Sequence, residues 1–407
     1  MTAITSGADE QPIKKSFNEV WVVCTGHALT HWYPATFYLL MPLIGKEFGL
    51  SYSQIGAIMT CQYAAGAIAN IPGGILVDSV GRKGLLMALS LFWIGFPYLV
   101  MGYADAYWMF LACAVMVGVG NNLWHPTAIP WLGNRFSERR GLVMSFHGMG
   151  GNFGDAVAPL VVGFLLTMYS WREVVVMNVI PGIIMSVAIL IYIGRIQSAE
   201  KKKGNKEEKG DVFEGFKQLL KNRSMVMLSL SSGCRSLTQG ALMTFLPLYL
   251  ANNMGYDVKW VGIAMFATQA AGFIAAPIAG HLSDKMGRRQ IIMGSFFVTA
   301  VVILAMIFAG GTDLFVLLIA LLGFFLFSIR AVMQAWLLDT TPKHMGGSAI
   351  GIMFGSQAVA QAIGPYTAGI LADSYGIMTA FYFLAFTILL ANVFVFFTPT
   401  SAKEVNA

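Results

Sequence analysis

Three features of the sequence predict an all-α, polytopic membrane protein with twelve transmembrane helices: its composition, the length of its apolar stretches, and an internal duplication that halves the chain. Of the 407 residues, 57% are hydrophobic and 11% charged, against roughly 25% charged in soluble globular domains. Mean hydropathy is +0.67. So little charge cannot cover a water-facing surface of this size. The apolar stretches fall at 20–45, 53–77, 85–103, 106–132, 141–168, 173–194, 225–251, 259–282, 289–310, 313–338, 347–371 and 376–398. Each has the roughly twenty residues needed to cross about 30 Å of hydrocarbon at 1.5 Å per residue. Helices are required because lipid offers no partner to free backbone N–H and C=O groups. The short alternating strands of a membrane barrel are absent from the sequence.

The flanks of these stretches set the expected orientation. Residues 1–16 are polar and carry Asp9, Glu10, Lys14 and Lys15, without the apolar core of a signal peptide. With the N-terminus in the cytoplasm, 21 of the 26 basic residues face inward, and Lys46, Arg172 and Lys259 face outward. That bias predicts both termini in the cytoplasm. The net charge of +6 then reports topology and gives no reason to expect a nucleic-acid partner. Cys24, Cys61, Cys113 and Cys234 each sit alone in an apolar stretch, as small packing residues do.

One long charged interruption, 195–224, contains the run Lys201 to Asp211 and divides the spans six and six. It predicts an N-terminal bundle over 1–194, a cytoplasmic linker over 195–224 and a C-terminal bundle over 225–407. The halves also align with each other. Gly49 and Gly255, Gly56 and Gly262, Gly74 and Gly280, Asp78 and Asp284, Arg82 and Arg288, Pro159 and Pro365, and Gly163 and Gly369 are each 206 residues apart. A duplicated six-helix unit yields two pseudo-symmetric bundles with a site between them near the midplane, and rocking of one bundle on the other gives alternating access.

The repeated element carries a family resemblance. Gly74, Asp78, Gly81, Arg82 and Lys83 in one half, and Gly280, Asp284, Gly287, Arg288 and Arg289 in the other, resemble the G-x-x-x-D-x-x-G-R-[KR] motif of the major facilitator superfamily. The resemblance covers residues 17–400. It implies that these ten residues form a conformational latch, with the arginines pairing acids such as Glu138 or Asp339. The runs Gly118 to Pro126 and Gly150 to Gly154 are similar to those of fosmidomycin-resistance-type exporters. The chain departs from antiporters in lacking a helix-4 arginine and in carrying Asp155 directly after the glycine run.

Seven ionisable residues fall inside the spans: His27, His31, His125, His147, Asp155, Arg235 and Arg330. An Arg or Asp at a helix centre costs about 2.5 to 3.5 kcal/mol on insertion scales, so each needs a partner or a wet cavity. Arg235 and Arg330 suit a carboxylate or phosphate, which a guanidinium grips through two N–H groups; pairing with protein acids is the alternative. His27 and His31 share one helix face and suit proton handling or hydrogen bonding to a substrate. Without a third ligand motif, that pair predicts no metal site. Asp155, with His31, is the expected proton carrier. His125 precedes Pro126 and reads as structural, and His147 is expected nearer the cytoplasmic end, where solvation is cheap. Asn121, Gln239 and Gln357 are further candidate substrate contacts, and Asn122, Gln269, Gln334 and Gln361 add polar lining.

No G-x-x-x-x-G-K-[ST] loop occurs in the sequence, so energy must come from an ion gradient. The expected function is therefore secondary active transport of a small organic or phosphorylated anion, coupled to protons. The alternative is an efflux antiporter for drugs or toxic compounds. Neither enzymatic activity nor a cofactor is expected. The expected setting is the inner membrane of a bacterium, with the chain working as a monomer.

Overall fold

The computed structural model describes residues 15–200, 221–309, 312, 314–341 and 346–399. Regular structure among them is helical: α1 Phe17–Phe48, α2 Tyr52–Val80, α3 Lys83–Gly102, α4 Tyr107–Arg135, α5 Arg140–Leu165, α6 Trp171–Met177 and α7 Val179–Glu200 in the first half. The second half contains α8 Arg223–Asn252, α9 Val258–Met286, α10 Arg288–Phe308, α11 Leu314–Asp339, α12 Gly346–Tyr375 and α13 Met378–Phe396. These helices match the twelve expected spans, with the sixth divided into α6 and α7. Most of the expected linker, residues 201–220, lies outside the described residues.

The break in the sixth span is stabilised locally. Asn178 stands between α6 and α7, and its buried backbone carbonyl accepts a hydrogen bond from the Tyr33 hydroxyl at 3.0 Å. Its side chain donates to the Val174 carbonyl at 2.7 Å and accepts from the Trp32 indole at 2.5 Å. The backbone group freed by the interruption is therefore not left unpaired in the bundle.

Packing repeats between the halves. α1 lies on α5, α2 on α4 and α3 on α7, as α8 lies on α12, α9 on α11 and α10 on α13. Four of the five glycines with positive φ among the described residues form two pairs 206 apart: Gly49 with Gly255, and Gly81 with Gly287. Each stands at or just beyond a helix end in a conformation that side chains disfavour.

The halves meet along two related seams, α2 against α12 and α5 against α9. A Cβ on Gly56 would strike the Pro365 carbonyl, and one on Gly262 would strike the Pro159 carbonyl. The residues repeated in sequence thus close on each other across the two halves. One seam carries an extra clamp: the Asp373 carboxylate accepts from the Tyr52 and Ser53 N–H groups at 2.8 and 2.9 Å, at the positive N-terminus of α2.

Seven spans among the described residues are long and apolar enough to cross a membrane on composition alone. The five other long helices, α1, α2, α5, α8 and α12, fall short of that apolarity. All five line one internal cavity. Neighbouring helices shelter their polar residues from lipid.

Candidate functional site

A cavity of about 260 Å³ lies between the two halves, walled by α1, α2, α4 and α5 on one side and α8, α9, α11 and α12 on the other. The first-half wall contributes His31, His125 and Asp155, and the second-half wall contributes Arg235 and Arg330. The cavity therefore faces two guanidinium groups with an acid and imidazoles.

Small residues build the acidic side. At Gly150 a Cβ would meet the Cys24 carbonyl, at Gly154 the Ala28 carbonyl, and at Gly151 the rings of His27 and His31. Only glycines let α5 lie this close to α1. The next residue, Asp155, is thereby brought to His31, with Oδ2 2.9 Å from Nδ1. Both side chains are partly exposed, at 26% and 22%, within reach of cavity water. The expected proton pair is thus assembled by the glycine run noted in the sequence.

On the opposite wall Arg235 is buried. Its Nη1 donates to Gln239 Oε1 at 2.9 Å and its Nη2 to Ser236 Oγ at 3.2 Å, while its Nε lacks a partner. Arg330 is exposed and lines the cavity. Among the described residues neither arginine is ion-paired with an acid. The sequence alternative of a salt bridge from Asp155 to either arginine is therefore replaced by the Asp155–His31 contact.

Asn121, Asn122, Gln239, Gln269, Gln357 and Gln361 line the cavity as expected of polar lining. The Asn121 side-chain oxygen has no partner, and Gln357 is turned to Ser232 Oγ at 2.6 Å. Gln334 is not among the lining residues. Two tyrosines missed in the sequence join them: the Tyr38 and Tyr63 hydroxyls hydrogen-bond to each other at the cavity wall. Tyr38 stands seven residues after His31, two helical turns along the same face, a periodicity that could have revealed it.

Three histidines differ from expectation. His27 is buried behind the wall instead of lining the cavity. Its Nδ1 donates to the His147 carbonyl at 2.6 Å, and its Nε2 is 3.1 Å from His125 Nε2. His147 is not solvated: it is buried, with its ring centroid 3.9 Å from that of His27. It lies one turn before the glycine run, where close packing on α1 excludes water. His125 is more than a kink residue, since it reaches both His27 and the cavity.

The repeated G-x-x-x-D-x-x-G-R-[KR] element is well described in its second copy. Arg288 Nη1 contacts Asp284 Oδ1 and Ser283 Oγ, both at 2.6 Å, and its Nε contacts Asp339 Oδ2 at 3.3 Å. Arg289 donates to the Phe396 carbonyl and lies over the Phe396 ring. Gly280 belongs to α9, and Gly287 caps it. In the first copy Gly74 and Asp78 belong to α2, Gly81 caps it, and Arg82 precedes Lys83 at the start of α3; the Asp78 side chain is outside the described residues. Among the described residues Glu138 lies 4.0 Å from Lys15 and pairs with no arginine. A pair unforeseen in the sequence joins α1 to α4: Arg135 donates from Nε and Nη2 to Glu19 at 2.8 and 3.0 Å, with both groups buried.

Comparison with known proteins fits this architecture. The fosmidomycin resistance protein of Escherichia coli (strain K12) is 22% identical over 399 residues, covering 98% of this chain and 97% of that protein. The probable sulfoacetate transporter SauU of Cupriavidus necator is 24% identical over 397 residues, with 90% of each chain covered. Among solved structures, a bacterial homolog of the human lysosomal transporter Spinster, inward-facing and unoccupied, superposes with a TM-score of 0.83 at 14% identity, over 96% of this chain and 97% of that one. The Major Facilitator Superfamily profile matches residues 23–272 and 228–407, and together with the duplicated sequence motif and paired six-span architecture this establishes that the chain is a multi-pass membrane transporter belonging to that superfamily.

Proposed function

We propose that this transporter moves a small organic or phosphorylated anion by alternating access, coupled to protons. Supporting this most directly is the cavity itself, with two guanidinium groups on one wall and the Asp155–His31 pair on the other. Arg330 anchors the anion with its free fork, and Arg235 does so from a wall braced by Gln239. His31, Asn121, Gln239 and Gln357 complete the polar contacts. An anion between two cations is held by charge-assisted hydrogen bonds in a space with little competing water.

Asp155 is the proton carrier, and His31 is its partner. Protonation of the pair changes the charge facing the arginines and so links solute occupancy to proton occupancy. The bundles 1–194 and 225–407 rock about the α2–α12 and α5–α9 seams, with the two latch copies biasing their positions. The setting is a bacterial inner membrane, with both termini cytoplasmic and the monomer as the working unit.

Efflux of drugs is the competing function, supported by similarity to the fosmidomycin resistance protein. The charged and amide-rich wall favours a polar anion over an apolar drug. Counterflow in liposomes decides between them. Vesicles loaded with unlabelled sulfoacetate, short dicarboxylates or phosphate esters should draw in the matching labelled compound. Exchange of lipophilic drugs with no exchange of any anion would overturn the proposal.

A further inference from the structure

We propose that His27, His31 and His125 form a binding site for a divalent transition-metal ion such as Zn²⁺ or Co²⁺, with its open coordination position facing the central cavity. Their ligand-capable atoms all lie within 4.8 Å of one another. The sequence offered only the α1 pair; folding supplies the third donor from α4, 94 residues beyond His31.

The hydrogen bonds fix which nitrogens are free. His27 Nδ1 faces the His147 carbonyl, which can only accept, so that nitrogen carries the proton. In the neutral ring Nε2 is then a lone pair. His31 Nδ1 faces the Asp155 carboxylate, which leaves its Nε2 as a lone pair in the same way. His125, on α4, stands beside His27. Its Nε2, which faces His27, is left as the third donor. Two imidazole lone pairs 3.1 Å apart repel unless a cation or a proton stands between them.

His27 and His31 thus each have a carbonyl or carboxylate on the nitrogen that does not ligate. That support fixes tautomer and orientation in histidine metal sites. The His27–His125 separation is close to the roughly 3.4 Å that two tetrahedral Zn–N bonds of about 2.1 Å impose. Gly151, where a Cβ would meet both rings, lets His31 lie beside His27 against α5. Three nitrogen donors with no oxygen ligand from the protein suit zinc or cobalt and disfavour calcium or magnesium. His31 and His125 line the cavity, so the fourth position is open to water or an anion.

The site does not depend on what the protein transports, and its test does not read transport. The full chain is purified without a polyhistidine tag, stripped with chelator and titrated with Co²⁺ at pH 7.5. The expected result is about one ion per chain, with the intense visible absorption of four-coordinate Co²⁺, displaced by Zn²⁺. His125→Ala should weaken binding about tenfold or more, and Asp155→Asn about 10- to 100-fold by loosening His31. His281→Ala, on α9 away from the cluster, should bind as the parent does. His31→Gln is read in parallel, so a misfolded His125→Ala, detected by size exclusion, leaves the test intact. Substoichiometric binding, a faint six-coordinate spectrum, or unchanged affinity in the folded His125 and His31 variants would overturn the proposal. Loss of metal binding as pH falls toward 5 follows from competition between protons and metal for the imidazoles.

Discussion

Replacing Arg330 with Ala removes the guanidinium that faces the cavity without an acidic partner. Because no protein ion pair is broken, the folded state should lose little, and the variant should melt close to the parent temperature. Binding is different. Truncating one side of a hydrogen-bonded charge contact that the bound anion closes off from water costs about 2 to 5 kcal/mol, or roughly 30-fold to several thousand-fold in Kd at 1.4 kcal/mol per tenfold. Arg330→Lys should recover part of this, since an ammonium keeps the charge but cannot grip two oxygens in one plane. Isothermal titration of the detergent-purified protein with sulfoacetate, short dicarboxylates and phosphate esters identifies the ligand and supplies the Kd values. The parallel Arg235→Ala should weaken binding by a similar factor and also lower the melting temperature, because its contacts with Gln239 and Ser236 are lost. Parental affinity in both folded alanine variants would refute the arginine-anchor reasoning.

The remaining predictions concern how the site is held. Gly154→Ala places a methyl group against the Ala28 backbone carbonyl and should cost about 1 to 3 kcal/mol, read as a lower melting midpoint; Gly148→Ala, which meets nothing, should melt as the parent does. Glu19→Gln removes the buried charge that Arg135 grips through Nε and Nη2 and should lower the melting midpoint, measured the same way. Arg288→Ala cuts the ties from α10 to Asp284, Ser283 and Asp339; transport should fall while ligand affinity stays within about threefold, because those ties lie outside the cavity. Equal loss of binding and transport in that variant would contradict a latch role.

Legibility in the sequence followed the range of the physics involved. The spans could be read because crossing a bilayer fixes a length and a composition, and α1 through α13 occupy the apolar stretches with shifts only at their ends. The duplication could be read because equal spacing survives in residues with strict backbone or packing roles, such as Gly56 and Gly262 on Pro365 and Pro159. Asp155 and His31 stood out because each is expensive in lipid alone. The burial of His27 and His147 and the recruitment of His125 depend on how α1, α4 and α5 rotate and pack, which no local pattern encodes. Nothing in the local sequence around Glu19 and Arg135 marks them as partners. Only the fold brings residues 116 positions apart into a bidentate pair.

Proton-driven accumulation in liposomes tests the central claim most directly. A potential of 100 mV and one pH unit together supply about 3.7 kcal/mol per proton, enough for roughly 500-fold accumulation of a solute whose own movement is electroneutral. The parent protein should concentrate its labelled anion when this gradient is imposed. Asp155→Asn nearly preserves shape but removes titration, so it should still exchange solute in counterflow while failing to accumulate it. A folded Asp155→Asn protein that accumulates the anion as the parent does would contradict the account.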